Sequence, residues 1–169
     1  MSNLATNRAA LTVALLLPLA CAAVELTGKV VAIADGDTLT LLVDKTQHRI
    51  RLDGIDAPER TQPYSQKAGR ALAVLAAGKQ ATATCSKTDR YGRQVCRVIV
   101  EGRDVALEQL RAGLAWFFRR YADELPPERR AQYEAAEAVA KAAGRGLWRD
   151  PNPQPPWDFR AAKREAVQP

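Results

Sequence analysis

The sequence has only one histidine, His48, in 169 residues. A single histidine excludes acid/base pairs made of two histidines and zinc sites that use several of them. His48 lies next to a predicted turn, and we expect it to be a surface residue without a functional role. Any hydrolytic chemistry in this chain therefore has to use carboxylates, arginines and a bound ion.

The sequence also lacks an apolar run that could cross a bilayer. The run at residues 9–20 (AALTVALLLPLA) is shorter than the roughly 20 residues of a transmembrane helix. It follows Arg8 and ends at the small-x-small tripeptide ACA at 20–22, which is the pattern of a secretory signal peptide. We predict a cleaved signal peptide over residues 1–22, a mature chain without a membrane span, and a periplasmic or secreted protein. The alternatives are an uncleaved N-terminal membrane anchor and a lipid-modified Cys21.

Cysteines are few as well, and their number fits an exported protein. Of the three, Cys21 belongs to the predicted signal peptide, which leaves Cys85 and Cys96. The residues between them (86–95, SKTDRYGRQV) have a polar, glycine-containing centre between strand-like segments, so the two cysteines lie nearly symmetrically about a hairpin turn. We predict a cross-strand disulfide formed in an oxidising compartment. Two free buried thiols and metal ligation by two cysteines are the alternatives.

The composition indicates one basic domain. The formal net charge of +6 favours polyanionic partners such as nucleic acid or anionic lipid headgroups. A hydrophobic content of 47% is enough to fill one core, and there is no internal repeat or long linker. We predict a domain at residues 23–150 and an irregular Pro-rich tail at 151–169. A monomer without a stable protein partner is expected.

Hydrophobic periodicity predicts the elements of this domain. Alternation between turn signals predicts five strands, at residues 24–34, 39–43, 48–52, 80–85 and 94–100. Apolar residues at intervals of three and four predict three helices, at 63–77, 105–112 and 126–143. In the third strand, Ile50 and Leu52 alternate with Arg49 and Arg51, so one face is apolar and the other charged. The order of elements gives an α+β domain.

Five charged residues lie next to turn signals and together suggest a site that cuts a phosphodiester. They are Asp37, Arg51, Asp56, Glu59 and Arg93. Carboxylates can hold a hard divalent cation and leave positions open, while arginines offer paired donors to a phosphate. Each residue alone has a simpler explanation, such as a hairpin turn for Asp37 or a solvated strand face for Arg51. Only their joint occurrence favours a site.

Three short segments carry these residues, and two further segments follow them along the chain. They are residues 31–38 (VAIADGDT), 51–59 (RLDGIDAPE), 89–93 (DRYGR), 110–115 (LRAGLA) and 146–148 (GLW). Each is weak alone because Asp-Gly and Ala-Pro are common turns, but their joint order and spacing resembles the staphylococcal-nuclease-like (thermonuclease) family. The resemblance extends over residues 28–150, which is nearly all of the predicted mature chain.

The resemblance implies a five-stranded OB-type β-barrel with three α-helices and a calcium-dependent nuclease site. Asp37 and Asp56 resemble the carboxylates that bind Ca²⁺, and the backbone carbonyl of Ala57 completes the protein ligands. Glu59 resembles the residue that activates or orients the attacking water. Arg51 and Arg93 resemble the two arginines that bind the scissile phosphate.

The resemblance also implies contacts with the rest of the substrate. Arg90 and Tyr91 resemble residues that contact its phosphate and sugar. Ala57 departs from the threonine of the founding member, which we expect to be tolerated because a backbone carbonyl is the ligand. The aromatic side chain expected against the base is not fixed, and the candidates are Trp116, Phe117 and Tyr121.

The implied function is calcium-dependent hydrolysis of DNA and RNA with little sequence preference. The alternative is a catalytically inactive nucleic-acid-binding module on the same barrel. Such a module is expected to lose acids or arginines from the site, whereas this chain keeps all five.

Overall fold

Five long strands close into a barrel within residues 24–166, the part of the chain that the computed structural model describes. In chain order the strands are β1 (Val24–Ile33), β2 (Thr38–Val43), β3 (Thr46–Leu52), β4 (Ile55–Asp56), β5 (Gln80–Thr88), β6 (Gln94–Val100), β7 (Arg103–Asp104) and β8 (Trp116–Phe117). Antiparallel pairs join β3, β2, β1, β5 and β6 in that order, and a parallel pairing of β3 with β6 closes the barrel. The predicted signal peptide lies outside the described residues.

The apolar side chains that alternate with polar ones along the predicted strands fill the interior of the barrel. Leu39 and Ile50 are register partners on β2 and β3, and both are almost completely buried. Arg49, on the opposite face of β3, is exposed. His48 is half-buried, and its Nδ1 is 3.0 Å from Oε1 of Gln94 on the closing strand β6. Apolar burial on one face therefore fixes the register in which β3 pairs with β2 and with β6.

Four helices pack around the barrel in the described residues. They are α1 (Ser65–Ala76), α2 (Val105–Arg111), α3 (Pro127–Ala142) and α4 (Pro156–Glu165). The first three match the predicted helices, and the α+β, OB-type fold is confirmed. Asp104 begins α2 by accepting hydrogen bonds from the N–H groups of Ala106 and Leu107, at 3.1 and 3.2 Å.

Helix α4 corrects the expectation of an irregular tail. Pro156 is buried at the start of the helix, where a missing N–H costs nothing. Trp157 stacks on Phe118, with 5.4 Å between the ring centroids. Nε2 of Gln62 donates to the carbonyl of Gln154, at 3.0 Å. Tertiary contacts that a local sequence pattern does not encode therefore dock the tail on the domain.

The predicted disulfide is present. Cys85 and Cys96 are register partners on β5 and β6 and are bonded to each other. None of the helices between residues 24 and 166 is long and apolar enough to cross a membrane.

Candidate active site

Arg51 brings the two predicted metal carboxylates together. Its Nη1 lies 3.1 Å from Oδ2 of Asp37, and its Nη2 lies 2.8 Å from Oδ1 of Asp56. Asp37 is the last residue of the turn between β1 and β2, whereas Asp56 is in β4, where it pairs with Trp116 of β8. Asp37 and Asp56 thus both contact the guanidinium of Arg51, which joins three of the five charged residues predicted to act together.

Hydrogen bonds fix the Asp37 carboxylate in this position. Oδ1 accepts the hydroxyl of Thr38 at 3.0 Å, and Oδ2 accepts the N–H of Ala57 at 2.7 Å. The buried side chain of Gln109 on α2 donates to the carbonyl of Gly36 in the preceding turn, at 2.6 Å. The turn is therefore held from α2, and the backbone of Ala57 lies against Asp37.

The donor set around Arg51 suits a hard divalent cation. Buried carboxylates that converge on one cationic group, next to the backbone of Ala57, are oxygen ligands of the kind that Ca²⁺ prefers. Within residues 24–166 there is no cluster of three or more acidic, histidine or cysteine side chains placed to hold a metal ion. Two carboxylates and a carbonyl, the ligand set expected from the sequence, would leave the remaining positions to water and substrate.

Asp35 is a further acid at this turn that the sequence analysis did not single out. Its Oδ1 accepts the backbone N–H of Asp37 at 3.0 Å. Burial, together with the neighbouring charge of Asp37, raises the pKa of Asp35 from 3.8 to about 6. Burial also raises the pKa of Asp56, although a hydrogen bond from Arg160 and the charge of Arg51 act in the opposite direction. Negative charge at this site is therefore held at an energetic cost.

Glu59 reaches the site through Arg160, a residue of α4 that the sequence analysis also missed. Nη1 of Arg160 lies 2.6 Å from Oε1 of Glu59, and Nη2 lies 2.8 Å from Oδ2 of Asp56. Burial alone would lower the pKa of Arg160, but the hydrogen bonds to both carboxylates outweigh it and hold that pKa above its usual range. The guanidinium therefore stays charged between the two acids.

Arg93 approaches the same carboxylates from the hairpin between β5 and β6. Its Nη1 donates to the hydroxyl oxygen of Thr38 at 3.3 Å, and that hydroxyl in turn donates to Asp37. Asp89 holds the guanidinium, with Oδ2 at 2.7 Å from Nε of Arg93. Burial acts to raise the pKa of Asp89, but hydrogen bonds from Arg93 and from the N–H of Tyr91 hold it below its ordinary value.

Arg90 and Tyr91 lie at the exposed tip of this hairpin. Tyr91 is 65% exposed, and the guanidinium groups of Arg90 and Arg93 lie 5.0 and 5.5 Å from the centre of its ring. Of the aromatic candidates for a base contact, Trp116 and Phe117 are buried, whereas Tyr121 is 41% exposed. Surface access therefore favours Tyr121 over the other two.

A basic groove continues from Glu59 along the loop that leads into α1. It has a volume of about 500 Å³ and is lined by Arg60, Tyr64, Lys67 and Arg70 among others. The three cations of this groove are exposed, and none of the ion pairs formed between residues 24 and 166 involves them. Uncompensated positive charge therefore lies beside the carboxylate site.

Comparison with known proteins gives a family that agrees with this geometry. The model of the family described as staphylococcal nuclease homologue matches residues 49–150. A protein of Shigella flexneri named micrococcal nuclease is 36% identical over 175 residues, covering 98% of each chain. An Escherichia coli protein named uncharacterized endonuclease is 37% identical over 148 residues, which is 86% of this chain and 91% of that protein. The chain therefore belongs to the staphylococcal nuclease family.

Proposed function

We propose that this protein is a periplasmic or secreted calcium-dependent nuclease that hydrolyses phosphodiester bonds of DNA and RNA with little sequence specificity. The observation that carries the proposal is the position of Arg51, whose guanidinium lies between the carboxylates of Asp37 and Asp56. Relatives named nucleases that align over most of their length support it.

Each residue of the site has a separate role in the proposed reaction. Asp37, Asp56 and the carbonyl of Ala57 would hold the ion, which when bound supplies polarisation of a phosphate oxygen and a more acidic water. Glu59 accepts the proton of the attacking water. Arg51 and Arg93 donate to the non-bridging phosphate oxygens, where charge grows in the transition state. Arg51 pairs with both carboxylates, and an ion held by those carboxylates would compete for their oxygens and leave the guanidinium donors to the phosphate.

The surroundings favour a polyanionic substrate recognised through its backbone. Arg90 and Tyr91 on one side, and the groove of Arg60, Lys67 and Arg70 on the other, present cations and an aromatic ring to solvent. Such contacts bind phosphates and stack on any base, so they carry little sequence information. This supports the proposal that both DNA and RNA are substrates.

Export to the periplasm or beyond is part of the same proposal. The sequence pattern at residues 1–22 and the Cys85–Cys96 disulfide both fit an oxidising compartment. Mass spectrometry of the protein from a fractionated bacterial host tests it. A mature N-terminus after residue 22 in the periplasm or medium is expected, whereas an intact N-terminus in the membrane fraction would favour the anchored alternative.

The activity is tested by digestion of single-stranded and duplex DNA and RNA with calcium and with chelator. We expect cleavage only with calcium, and a loss of about a hundredfold or more in Arg51→Ala because one set of transition-state donors is removed. Glu59→Ala is expected to be similarly impaired. Glu101→Ala and Arg103→Ala are matched controls, since these residues form an ion pair of their own in the β6–β7 hairpin.

The same assay separates the catalytic proposal from a binding module. Retention of nucleic acid by the oxidised, unmutated protein, without cleavage at any calcium concentration, would identify a catalytically inactive member of the family. Equal cleavage by the unmutated protein and Arg51→Ala would instead remove Arg51 from the mechanism.

A further inference from the structure

Helix α4 reaches the candidate active site from the far end of the chain. Arg160 is 104 residues from Asp56 and 101 residues from Glu59, yet it contacts both carboxylates. Its Nη2 lies 2.8 Å from Oδ2 of Asp56, and its Nη1 lies 2.6 Å from Oε1 of Glu59 and 3.4 Å from Oδ1 of Asp56. One guanidinium thus links a predicted metal ligand to the predicted base.

The two arginines favour different oxygens of Asp56. Arg51 holds Oδ1, the oxygen that it brings towards Asp37, while the shorter contact of Arg160 is with Oδ2. Arg160 would therefore hold the Asp56 carboxylate without displacing Arg51. A hydrogen bond on the second oxygen of a ligating carboxylate is a common way to fix its orientation.

The tail also holds the backbone of Glu59. The N–H of Glu59 donates to Oε1 of Gln62 at 2.9 Å, and Nε2 of the same buried amide donates to the carbonyl of Gln154 at 3.0 Å. The side chain of Glu59 is 38% exposed, and its ion pair is with Arg160. Without that contact, rotation about its side-chain bonds would move the carboxylate freely through solvent.

Contacts at its N-terminal end anchor helix α4 on the domain. The ring of Trp157 lies nearly parallel to that of Phe118, which directly follows β8, the strand paired with Asp56. The residue before Trp157, Pro156, is buried at the first position of the helix. The anchor and Arg160 are therefore within one turn of each other, so the position of the helix fixes the position of the guanidinium.

We propose that α4 is part of the active site and that Arg160 is a positioning residue, which holds the Glu59 carboxylate beside Asp56 in the orientation that the reaction needs. This inference rests on the proposed nuclease function. Arg160 acts through the Glu59 carboxylate and through its contact with Asp56, so most of its effect on turnover is expected to depend on Glu59.

A double-mutant cycle on cleavage tests this dependence. Arg160→Gln is expected to lower kcat by about 10- to 100-fold, the usual effect of losing a partner of a site residue, with KM for nucleic acid changed by less than about threefold. In a Glu59→Gln background the same substitution should cause a clearly smaller loss of kcat, because only the contact of Arg160 with Asp56 is then removed. Arg160→Lys should restore part of the activity, because an ammonium group can reach one carboxylate but not both. Arg164→Gln, the same charge change on an exposed residue of α4, is the matched control and should leave kcat unchanged.

Three results would overturn the assignment. Equal losses of kcat in the two backgrounds would mean that Arg160 acts independently of Glu59. A higher KM with unchanged kcat would mean that Arg160 binds substrate directly. Faster cleavage by Arg160→Gln would mean that the helix obstructs the site and has to leave it before reaction.

A measurement without substrate separates this inference from the function on which it rests. The unfolding midpoints of Arg160→Gln, Glu59→Gln and the double variant are expected to be non-additive, because the two side chains are in contact. Additive midpoints would overturn the Arg160–Glu59 contact even if the enzyme is active. Non-additive midpoints in a protein that cleaves no nucleic acid would instead support the contact but refute both the nuclease function and the role of Arg160 in positioning Glu59 for it.

Discussion

Cys85 and Cys96 face each other across β5 and β6, at the base of the hairpin that carries Arg93. Beyond the disulfide the register of the two strands shifts, and the turn is closed by the N–H of Asp89 donating to the carbonyl of Arg93 at 2.8 Å. Cys96 also pairs with Leu52 of β3, one residue after Arg51. The disulfide therefore lies three residues from Arg93 along the chain and next to the strand that carries Arg51.

Replacing both cysteines by alanine is expected to lower stability and activity together. The disulfide joins positions that are 11 residues apart. Removing a cross-link that closes a loop of this length should lower the free energy of unfolding, measured in urea, by about 3 kcal/mol. Cleavage should also fall at temperatures where the variant is fully folded, because the base of the Arg93 hairpin is less constrained. Unchanged cleavage by the folded variant would show that Asp89 and the strand pairing hold Arg93 without the disulfide.

Gly36 should not tolerate a side chain. A Cβ at this position would lie 2.5 Å from Cβ of Ala68 on α1 and 2.8 Å from Cβ of Ala57. Gly36→Ala is therefore expected to cost about 1 to 3 kcal/mol in unfolding free energy, as overpacking does. It should also weaken calcium binding measured by calorimetry, since Ala57 has to move away from Asp37.

Gly69→Ala is the matched control for this prediction. A Cβ there would meet no atom closer than 3.7 Å, and the residue is inside α1. The substitution should stabilise the protein by about 0.5 to 1 kcal/mol because alanine favours a helix interior. Equal calcium affinity in Gly36→Ala and Gly69→Ala would argue against the Gly36 turn as part of the ion site.

The barrel and the first three helices could be predicted because their signals are local. Alternation of Ile50 and Leu52 with charged residues sets the buried face of β3, and the apolar spacing of Ala68 and Leu72 sets that of α1. Helix α4 could not be predicted in the same way. Its sequence is polar and preceded by prolines, and it is docked by the distant contact of Trp157 with Phe118.

The same distinction separates the predicted and missed residues of the site. The structure brings together the five charged residues, which lie next to turns whose sequences are distinctive. Asp35 is in the same turn as Asp37, and Asp89 is four residues before Arg93, so both had a sequence signal that could have found them. Arg160 had none, because nothing in a single sequence relates position 160 to position 56.

The basic groove beside Glu59 should contribute to affinity and not to turnover. Lys67→Gln combined with Arg70→Gln is expected to raise KM for nucleic acid and leave kcat unchanged. Two lost phosphate contacts should reduce the slope of log affinity against log salt by about 1.5. Binding measured by fluorescence anisotropy over a salt series, with calcium omitted, gives this slope directly.

Lys79→Gln combined with Arg103→Gln is the matched control for the groove. Both residues pair with Glu101, and Lys79 follows the C-terminal end of α1, whereas Lys67 and Arg70 lie in its first half, about 9 to 14 Å from that end along the helix axis. The same loss of charge should therefore leave the salt slope nearly unchanged. Equal slopes for the two double variants would indicate that net charge, and not the groove, determines binding.

Glu137 on α3 should make stability depend on pH. It is 1% exposed and accepts hydrogen bonds from the N–H of Phe117 at 2.9 Å, from Arg119 at 2.8 Å and from Lys141 at 3.0 Å. Burial acts to raise the pKa of Glu137, but these donors outweigh it and hold the pKa below its usual value of 4.5. A lowered pKa in the folded state means that the stabilisation is complete at neutral pH and is lost as pH falls through the folded-state pKa.

Glu137→Gln is therefore expected to unfold more easily at pH 7, by about 2 kcal/mol, because hydrogen bonds to a charged acceptor are replaced by weaker ones. The difference from the unmutated protein should shrink progressively below a pH of about 4.5, the usual value for a glutamate. Glu134→Gln, an exposed position on the same helix, should change stability by less than about 0.5 kcal/mol at every pH. Urea denaturation between pH 3 and 8 measures both variants. A Glu137→Gln difference that stays constant across this range would mean that the ionised carboxylate does not stabilise the contact between α3 and β8.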